Sequence, residues 1–196
     1  MNVLISTRTT TSNNGFEFDA FERGFHSMFK GHNITALLND PKQDVMKLAE
    51  NNDLLVLSGG NDHTDRLLVE IEMVKHFRLQ NKPILGICHG AFLVTQLMDG
   101  QCIDIEGHRN TTHPVWYRDK EIVVNSYHGS TVSEVPPGAI SLCKDKDGNI
   151  EAWYNKDKKT MAIIWHPERD PKHWLPDEYQ DLLSVSYTHL TLPTKA

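Results

Sequence analysis

Short apolar runs alternate with longer amphipathic stretches through the first half of the chain. A short apolar run bounded by turn residues is typical of a parallel strand that is buried on both faces. Apolar residues that recur at helical spacing predict amphipathic helices between these strands. The predicted strands cover residues 2–6, 33–38, 53–58 and 83–87, and the predicted helices cover residues 19–29, 40–49, 65–78 and 91–98.

The second half of the chain has a different pattern. Residues 101–118 are irregular and rich in His, Asn and Thr, and residues 7–15 read as an earlier polar loop. Two short runs flank the turn residues 145–149, which predicts an antiparallel hairpin. We therefore predict a three-layer α/β/α fold, flavodoxin-like and mostly parallel, with antiparallel additions in the second half. The later predicted elements are strands at 121–125, 140–144, 150–154 and 160–165 and a final helix over 176–183.

No linker, internal repeat or low-complexity tract divides the chain, so we predict one domain over residues 1–184. Residues 185–196 fit this domain poorly, because their polar and Pro-containing sequence interrupts the last helix just after it begins. The segment resembles the read-through tails found at the ends of assembled sequence fragments. Whether it is native stays open, and we leave it out of the functional interpretation.

Composition narrows the class of protein. The 39% hydrophobic and 23% charged residues are typical of a globular protein, and a net charge of -6 gives no reason to expect nucleic-acid or membrane partners. The three cysteines are too few and too scattered for a disulfide framework, which favours a reducing compartment. The first residues lack the pattern of a signal peptide. We therefore expect a cytoplasmic protein.

The most informative stretch is Gly86-Ile-Cys-His-Gly90, which joins a predicted strand to a predicted helix. A nucleophile on a tight strand-to-helix turn needs small residues on both sides, because the backbone is crowded there. The turn also places Cys88 near a helix N-terminus, where the dipole favours a thiolate. A buried core cysteine is the alternative, but the two flanking glycines favour a nucleophile.

A nucleophilic cysteine needs a base and a group that orients the base. His166-Pro-Glu168 follows the apolar run Met161–Trp165, and Pro167 favours extended geometry for His166. In an extended segment, residues i and i+2 project to the same side, so Glu168 can hold the imidazole of His166. A solvated loop is the alternative interpretation of this short motif.

Stabilising an oxyanion requires N–H donors. Gly60 lies in a Gly-rich turn after the strand 53–58, where its N–H can approach a ligand because no side chain blocks it. His89 can supply a second N–H from the start of the helix that follows Cys88. Both loops lie at the carboxyl ends of predicted strands, where open α/β sheets bind ligands.

Four motifs occur in the order and rough spacing of one family: Ser58-Gly-Gly60, Gly86-Ile-Cys-His-Gly90, Asn125-Ser-Tyr-His-Gly129 and His166-Pro-Glu168. Over about residues 1–170 the chain resembles the class I glutamine amidotransferase domain. Within that superfamily it looks most like the small γ-glutamyl hydrolases, of the γ-glutamyl-γ-aminobutyrate hydrolase type. The motifs are specific for the superfamily and not for the substrate.

The resemblance implies a catalytic triad of Cys88, His166 and Glu168 and an oxyanion hole from the backbone of Gly60 and His89. It also implies substrate-binding residues that hold the α-amino and α-carboxylate groups of a γ-glutamyl moiety. Packing at the end of a strand is the alternative role for Tyr127 and His128. The substrate-binding residues implied in this way are Gly59, Tyr127, Gly129 and Ser130.

Two positions depart from the family pattern. Many glutamine-using members carry Gln four residues after the nucleophile, where this chain has Phe92. Exchanging an amide for an aromatic ring alters recognition, which puts free glutamine in doubt as the substrate. The hydrolase type often has Arg directly after the nucleophile, where this chain has His89. The side chain of His89 either meets an anionic leaving group or faces solvent.

We expect no metal and no cofactor. His108 and His113 lie in a loop without a Cys or a carboxylate at ligand spacing. The pair His166 and His173 gives no better indication of a metal site. The chain also has no phosphate-binding G-x-x-x-x-G-K-[ST] motif.

Three functions fit the sequence. The first is cysteine-dependent hydrolysis of a small γ-glutamyl amide through a thioester, which releases glutamate and an amine. The second is a glutaminase subunit that delivers ammonia to a partner synthetase. The third is a non-catalytic or stress-response relative with a reactive Cys88, against which the presence of His166 and Glu168 argues.

Overall fold

The computed structural model describes residues 1–184, and the sequence-based interpretation of residues 185–196 lies outside this part. In the described part, eleven strands form one sheet and two more form a separate hairpin. The strands are β1 (Asn2–Ser6), β2 (Arg8–Thr11), β3 (Glu17–Ala20), β4 (Asn33–Leu37), β5 (Leu54–Leu57), β6 (Ile84–Ile87), β7 (Gln101–Asp104), β8 (Thr111–Tyr117), β9 (Lys120–Ser126), β10 (Ser130–Glu134), β11 (Ile140–Lys144), β12 (Ile150–Asn155) and β13 (Thr160–Ile163). The helices are α1 (Gly24–Met28), α2 (Val45–Asn51), α3 (Thr64–Leu79), α4 (His89–Leu97) and α5 (Glu178–Ser184), with a 3-10 turn at Pro167–Arg169.

The large sheet has a parallel half and an antiparallel half. Its order is β4-β1-β5-β6-β13-β12-β11-β8-β9, and β10 pairs with both β12 and β7. The neighbours from β4 to β13 run parallel, and every pairing beyond β13 is antiparallel. The predicted α/β/α class with antiparallel additions is therefore confirmed.

Side chains of the central strands alternate between two buried layers, as the period of two along a strand requires. On β5, Leu54 and Val56 pack into one layer, and Leu55 and Leu57 pack into the other. The second layer includes Phe77 of α3 and further apolar residues of α3 and α4. Because both faces are covered, these strands read as continuous apolar runs. None of the helices in residues 1–184 is long and apolar enough to cross a bilayer.

Two sequence predictions for the first 30 residues were wrong about local structure. The predicted helix over residues 19–29 is reduced to α1, and the predicted loop 7–15 contains β2, which pairs with β3. Asp19 accepts hydrogen bonds from the backbone N–H and the side chain of Asn39, which holds this hairpin to the end of β4. These long-range contacts outweigh the helical spacing of the local apolar residues.

The segment 101–118, predicted as irregular, contains β7 and β8. Strand β8 pairs along its whole length with β9, from Thr111 opposite Ser126 to Tyr117 opposite Lys120. Its first residues are polar and exposed, so they carry little apolar alternation for a sequence analysis to detect. The strand exists because β9 provides its hydrogen-bonding partner.

Candidate active site

Cys88 lies on a strained turn between β6 and α4. Its backbone has φ 50° and ψ -107°, which a residue other than glycine adopts only when its surroundings enforce it. The N–H of Cys88 donates to the carbonyl of Ile163 at 2.8 Å, which continues the pairing of β6 with β13 up to the turn. The cysteine is nearly buried and directly precedes the first residue of α4, where the helix dipole favours negative charge.

The two glycines that flank Cys88 are required by close packing. A Cβ on Gly90 would collide with the carbonyl oxygen of Leu57, and a Cβ on Gly86 would lie 2.6 Å from the carbonyl oxygen of Gly90. Helix α4 can therefore start tightly against β5 and β6 only with glycine at both positions. This is the physical reason for the G-x-C-x-G pattern.

His166 and Glu168 form a buried pair beside Cys88. Nδ1 of His166 lies 2.6 Å from Oε1 of Glu168, and both side chains are almost completely buried. Burial alone would lower the pKa of His166, but hydrogen bonds with Cys88 and Glu168 raise it to about 9. The imidazole thus lies between a thiol and a carboxylate.

The predicted reason for this pairing was wrong, although the two side chains do meet. Pro167–Arg169 forms a 3-10 turn and not an extended segment. The N–H of Arg169 donates to the carbonyl of His166 at 3.1 Å, which closes the turn. Glu168 therefore folds back toward the ring and does not project beside it along a strand.

Asn125 holds the backbone of His166 in place. The N–H of His166 donates to Oδ1 of Asn125 at 2.9 Å, and Nδ2 of Asn125 donates to the carbonyl of His166 at 2.8 Å. Asn125 is the first residue of the motif Asn125–Gly129, but no role was predicted for it from the sequence. An Asn at the end of a strand could have been recognised as a residue that satisfies both backbone groups of a neighbour.

The Gly-rich loop after β5 reaches His166. A Cβ on Gly59 would collide with Cε1 of the imidazole, so only glycine allows this approach. Gly60 has φ 145°, which side-chain-bearing residues rarely adopt. A Cβ on Gly60 would also collide with the guanidinium of Arg66. The loop therefore lies between His166 and α3.

Arg66 supports this loop from a fully buried position in α3 and was not predicted as a functional residue. Its Nη2 donates to the carbonyl of Ser58 at 2.7 Å, and its Nη1 lies 3.4 Å from the carbonyls of Gly59 and Asn61. Its Nε donates to Glu70 at 3.0 Å, which neutralises the buried charge. A charged residue in an amphipathic helix is normally expected on the solvent-facing side, so the sequence alone did not indicate that Arg66 is buried.

The side chain of His89 lies between two carboxylates. Its Nδ1 is 3.4 Å from Oδ1 of Asp62, and its Nε2 is 3.5 Å from Oε2 of Glu70. His89 also begins α4, so its backbone N–H is among the helix donors without an intrahelical acceptor.

Two of the four residues implied for substrate binding lie against His166. They are Gly59 and Tyr127, whose ring contacts the imidazole edge-to-face with centroids 5.7 Å apart. The guanidinium of Arg169 covers the Tyr127 ring at 4.5 Å. Gly129 instead packs against Arg109, and the hydroxyl of Ser130 donates to Asp104 at 2.9 Å.

A groove of about 590 Å³ opens beside the start of α4. His89 and Phe92 line it from α4, and Asp62, Asp104 and Ser130 line it from the surrounding loops and strands. Phe92, at the position where many glutamine users have Gln, forms part of the wall. The groove is large enough for a small organic group, and its ionisable lining includes two acidic residues.

Comparison with known proteins gives a consistent result. The sequence profile of the family Glutamine amidotransferase class-I matches residues 22–181. A γ-glutamyl-CDP-amidate hydrolase of Campylobacter jejuni is 29% identical over 125 residues, which cover 59% of this chain and 62% of that protein. A carbamoyl phosphate synthase small chain of Clostridium perfringens is 28% identical over 147 residues, which cover 72% of this chain and 41% of that protein. The chain thus spans less than two thirds of the length of these two relatives.

The solved structures agree with the sequence relatives. A glutamine amidotransferase from Thermotoga maritima superimposes with a TM-score of 0.68 at 16% identity, covering 95% of this chain and 90% of that chain. At such low identity the superposition supports the fold. The family profile, in contrast, covers most of this sequence, including the turn at Cys88 and the His166–Glu168 pair. The chain therefore belongs to the class I glutamine amidotransferases.

Proposed function

We propose that this protein hydrolyses the amide bond of a small γ-glutamyl compound, with Cys88, His166 and Glu168 as its catalytic triad. The observation that carries this proposal is the position of the buried His166–Glu168 pair beside a cysteine on a strained strand-to-helix turn. A base oriented by a carboxylate next to a nucleophile is the arrangement that covalent hydrolysis needs. The γ-glutamyl-CDP-amidate hydrolase relative supports the substrate class.

The first half of the reaction forms a thioester. The Cys88 thiolate attacks the amide carbonyl, and the C–N bond breaks as His166 gives its proton to the leaving amine. The oxyanion of the tetrahedral intermediate accepts hydrogen bonds from the backbone N–H groups of Gly60 and His89. Glu168 stabilises the imidazolium before transfer and keeps the ring oriented through its 2.6 Å contact with Nδ1.

The second half releases glutamate. His166, now neutral, accepts a proton from water, whose oxygen attacks the thioester carbonyl. The C–S bond then breaks, glutamate leaves, and the thiolate–imidazolium pair is restored. Gly59, Tyr127, Gly129 and Ser130 would hold the γ-glutamyl group, and the groove beside Phe92 would receive the leaving amine.

The experiment is an assay of glutamate release from a panel of γ-glutamyl amides that includes glutamine, using this chain alone. We expect turnover of at least one γ-glutamyl amide other than glutamine, and Cys88→Ala should reduce it below detection. Cys143→Ala, which changes a thiol buried in the core, is the matched control and should retain turnover. Mass spectrometry should detect a glutamyl adduct on Cys88 in the wild type. Normal turnover by Cys88→Ala would overturn the proposal.

A second function is favoured by the similarity to a carbamoyl phosphate synthase small chain. In this alternative, the protein hydrolyses glutamine and delivers ammonia to a partner synthetase. Phe92 argues against it, because the aromatic ring replaces the amide found in many glutamine users. Strong preference for glutamine over every other amide of the panel would favour the alternative over a stand-alone hydrolase.

A further inference from the structure

Three histidines and one glutamate converge in the antiparallel half, at a place that the proposed reaction does not use. His108 precedes β8, His113 lies on β8, His128 follows β9, and Glu151 lies on β12. Each offers one nitrogen or oxygen atom, and these four atoms all lie within 4.8 Å of one another. The side chains of His128 and Glu151 are completely buried.

The outer ring nitrogens of these histidines are already engaged. Nδ1 of His128 lies 2.8 Å from the carbonyl of Ser130, and Nδ1 of His113 lies 3.2 Å from the carbonyl of Pro114. A carbonyl oxygen can only accept, so both Nδ1 atoms carry a proton, and the tautomer this selects leaves the lone pair on Nε2. Nε2 of His108 lies 3.3 Å from Asp145, which leaves its Nδ1 for the cluster.

The inner atoms have no hydrogen-bond partner within residues 1–184. This holds for Nδ1 of His108, for Nε2 of His113 and His128, and for both carboxylate oxygens of Glu151. A buried carboxylate without a partner is costly, so a group that satisfies it is expected. Imidazoles whose outer N–H donates to a carbonyl or carboxylate are the usual arrangement around a protein-bound metal.

The distances within the cluster fit a shared cation better than hydrogen bonds. The inner nitrogens of His108, His128 and His113 lie 3.5, 3.5 and 3.8 Å from the oxygens of Glu151. Hydrogen bonds between nitrogen and oxygen are shorter, at about 2.7–3.2 Å. Donor atoms around a tetrahedral zinc ion, each about 2.0–2.1 Å from it, are separated by about 3.4 Å.

We propose that His108, His113, His128 and Glu151 form a binding site for one zinc ion, separate from the proposed catalytic triad. Three imidazoles and one carboxylate suit zinc better than magnesium or calcium, which prefer oxygen donors. Four protein ligands complete a tetrahedral shell and make the site structural. The sequence provided no reason to expect a metal, because neither His108 with His113 nor His166 with His173 has a Cys or a carboxylate at ligand spacing. His128 and Glu151 come from other parts of the chain.

The site would stabilise the loop between β9 and β10. His128 lies next to Tyr127, whose ring contacts His166, and follows Asn125, which binds the backbone of His166. Glu151 lies on the other side, where its carbonyl accepts from Ile164 at 2.9 Å. A zinc ion that joins His128 to Glu151 would therefore tie the loop to β12, which pairs with the strand that leads to His166.

The test is the zinc content of the purified full chain, measured by inductively coupled plasma mass spectrometry after dialysis against a weak chelator. We expect about one zinc per chain in the wild type and a loss of at least tenfold in Glu151→Gln, which preserves the volume of the side chain. His32→Gln, at an exposed histidine outside the cluster, is the matched control and should keep its zinc. Cys88→Ala should also keep it, which separates this site from metal captured by the catalytic thiol.

Cobalt substitution gives a second readout that does not depend on activity. The cobalt form should show the intense visible absorption of a tetrahedral site, and His113→Gln should weaken or shift this absorption. Wild-type protein without zinc after incubation with an excess of the ion would overturn the proposal. So would an unchanged zinc content in Glu151→Gln, or its loss in Cys88→Ala.

Discussion

The surroundings of His166 raise its pKa although the ring is buried. Burial lowers the pKa of an imidazole, whereas the Cys88 thiol and the Glu168 carboxylate on its two sides raise it to about 9. The ring therefore holds its proton at neutral pH, ready for transfer to a leaving amine. Asn125 fixes the backbone on which this ring is mounted.

The raised pKa of His166 predicts a pH dependence of stability. The folded state binds a proton with a pKa of about 9 and the unfolded state with the ordinary value of 6.5. The stabilisation is thus complete below pH 6.5 and is lost as the pH rises through 9. We expect the free energy of unfolding to fall in this window, on the order of 3 kcal/mol in total.

Urea denaturation of wild type and His166→Asn at intervals from pH 7 to 9.5 would measure this effect. The difference between the two proteins removes the contribution of the other titrating groups, and it should shrink as the pH rises. A difference that stays constant over this range would contradict a raised pKa for His166.

The loop after β5 positions Gly60, one of the two proposed oxyanion donors. A single side chain of helix α3 supports this loop. Arg66 of α3 binds three backbone carbonyls of the turn after β5, those of Ser58, Gly59 and Asn61. Glu70, one helical turn further, balances its charge. The planar guanidinium presents five donors in a fixed fork, which an ammonium group cannot reproduce.

Arg66→Lys should therefore be damaging although it preserves the charge. The lysine ammonium has fewer donors, all on one atom, so some loop carbonyls or Glu70 would lose their partner. We expect a loss of about 3 kcal/mol in stability. Since the loop carries Gly60, kcat for amide hydrolysis should fall as well, by about tenfold or more. Thermal unfolding and steady-state kinetics would measure both effects.

Arg78→Lys is the matched control, because Arg78 lies near the end of the same helix and makes an exposed contact of 3.5 Å with the carbonyl of Leu97. It should change stability by less than about 0.5 kcal/mol. Equal effects of the two substitutions would show that Arg66 does not support the loop in the way described.

The elements differ in how well sequence reasoning predicted them. Strands β1, β5 and β6 were recognised because burial on both faces leaves continuous apolar runs. Strands β2, β3 and β8 were missed, because their pairing partners and not their own patterns determine them. The turn at Cys88 could be predicted because its flanking glycines indicate local crowding of the backbone. Glu151 could not, because it meets histidines from distant segments of the chain. Arg66 could not either, because its side chain folds back onto the loop before its own helix, which helical spacing does not indicate.

The two halves of the whole molecule meet where the proposed reaction takes place. The parallel half supplies the turns at Gly60 and Cys88, and the antiparallel half supplies Asn125. Strand β13 belongs to both, since it pairs parallel with β6 and antiparallel with β12. His166 follows this strand, so the junction of the halves brings the imidazole to the thiol.

Helix α5 closes one face of this junction and limits how far the chain can be shortened. Leu182 is completely buried in the same layer as Trp165, and Tyr117 donates to Glu178 at 2.9 Å. All the contacts described for the proposed site lie within residues 1–184. We therefore expect a chain that ends at Ser184 to keep the wild-type kcat/KM within about twofold.

A chain that ends at Pro176 is the informative comparison, because it lacks α5 and the buried Leu182. Losing this side chain and the Tyr117–Glu178 hydrogen bond should cost about 3 kcal/mol or more. For a chain of this size that loss lowers Tm by roughly 6–12 °C. Differential scanning calorimetry and the glutamate-release assay would compare both truncated chains with the full sequence. A large loss of activity on removing residues 185–196 alone would show that these residues belong to the working protein, because α5 and the site are intact in that variant.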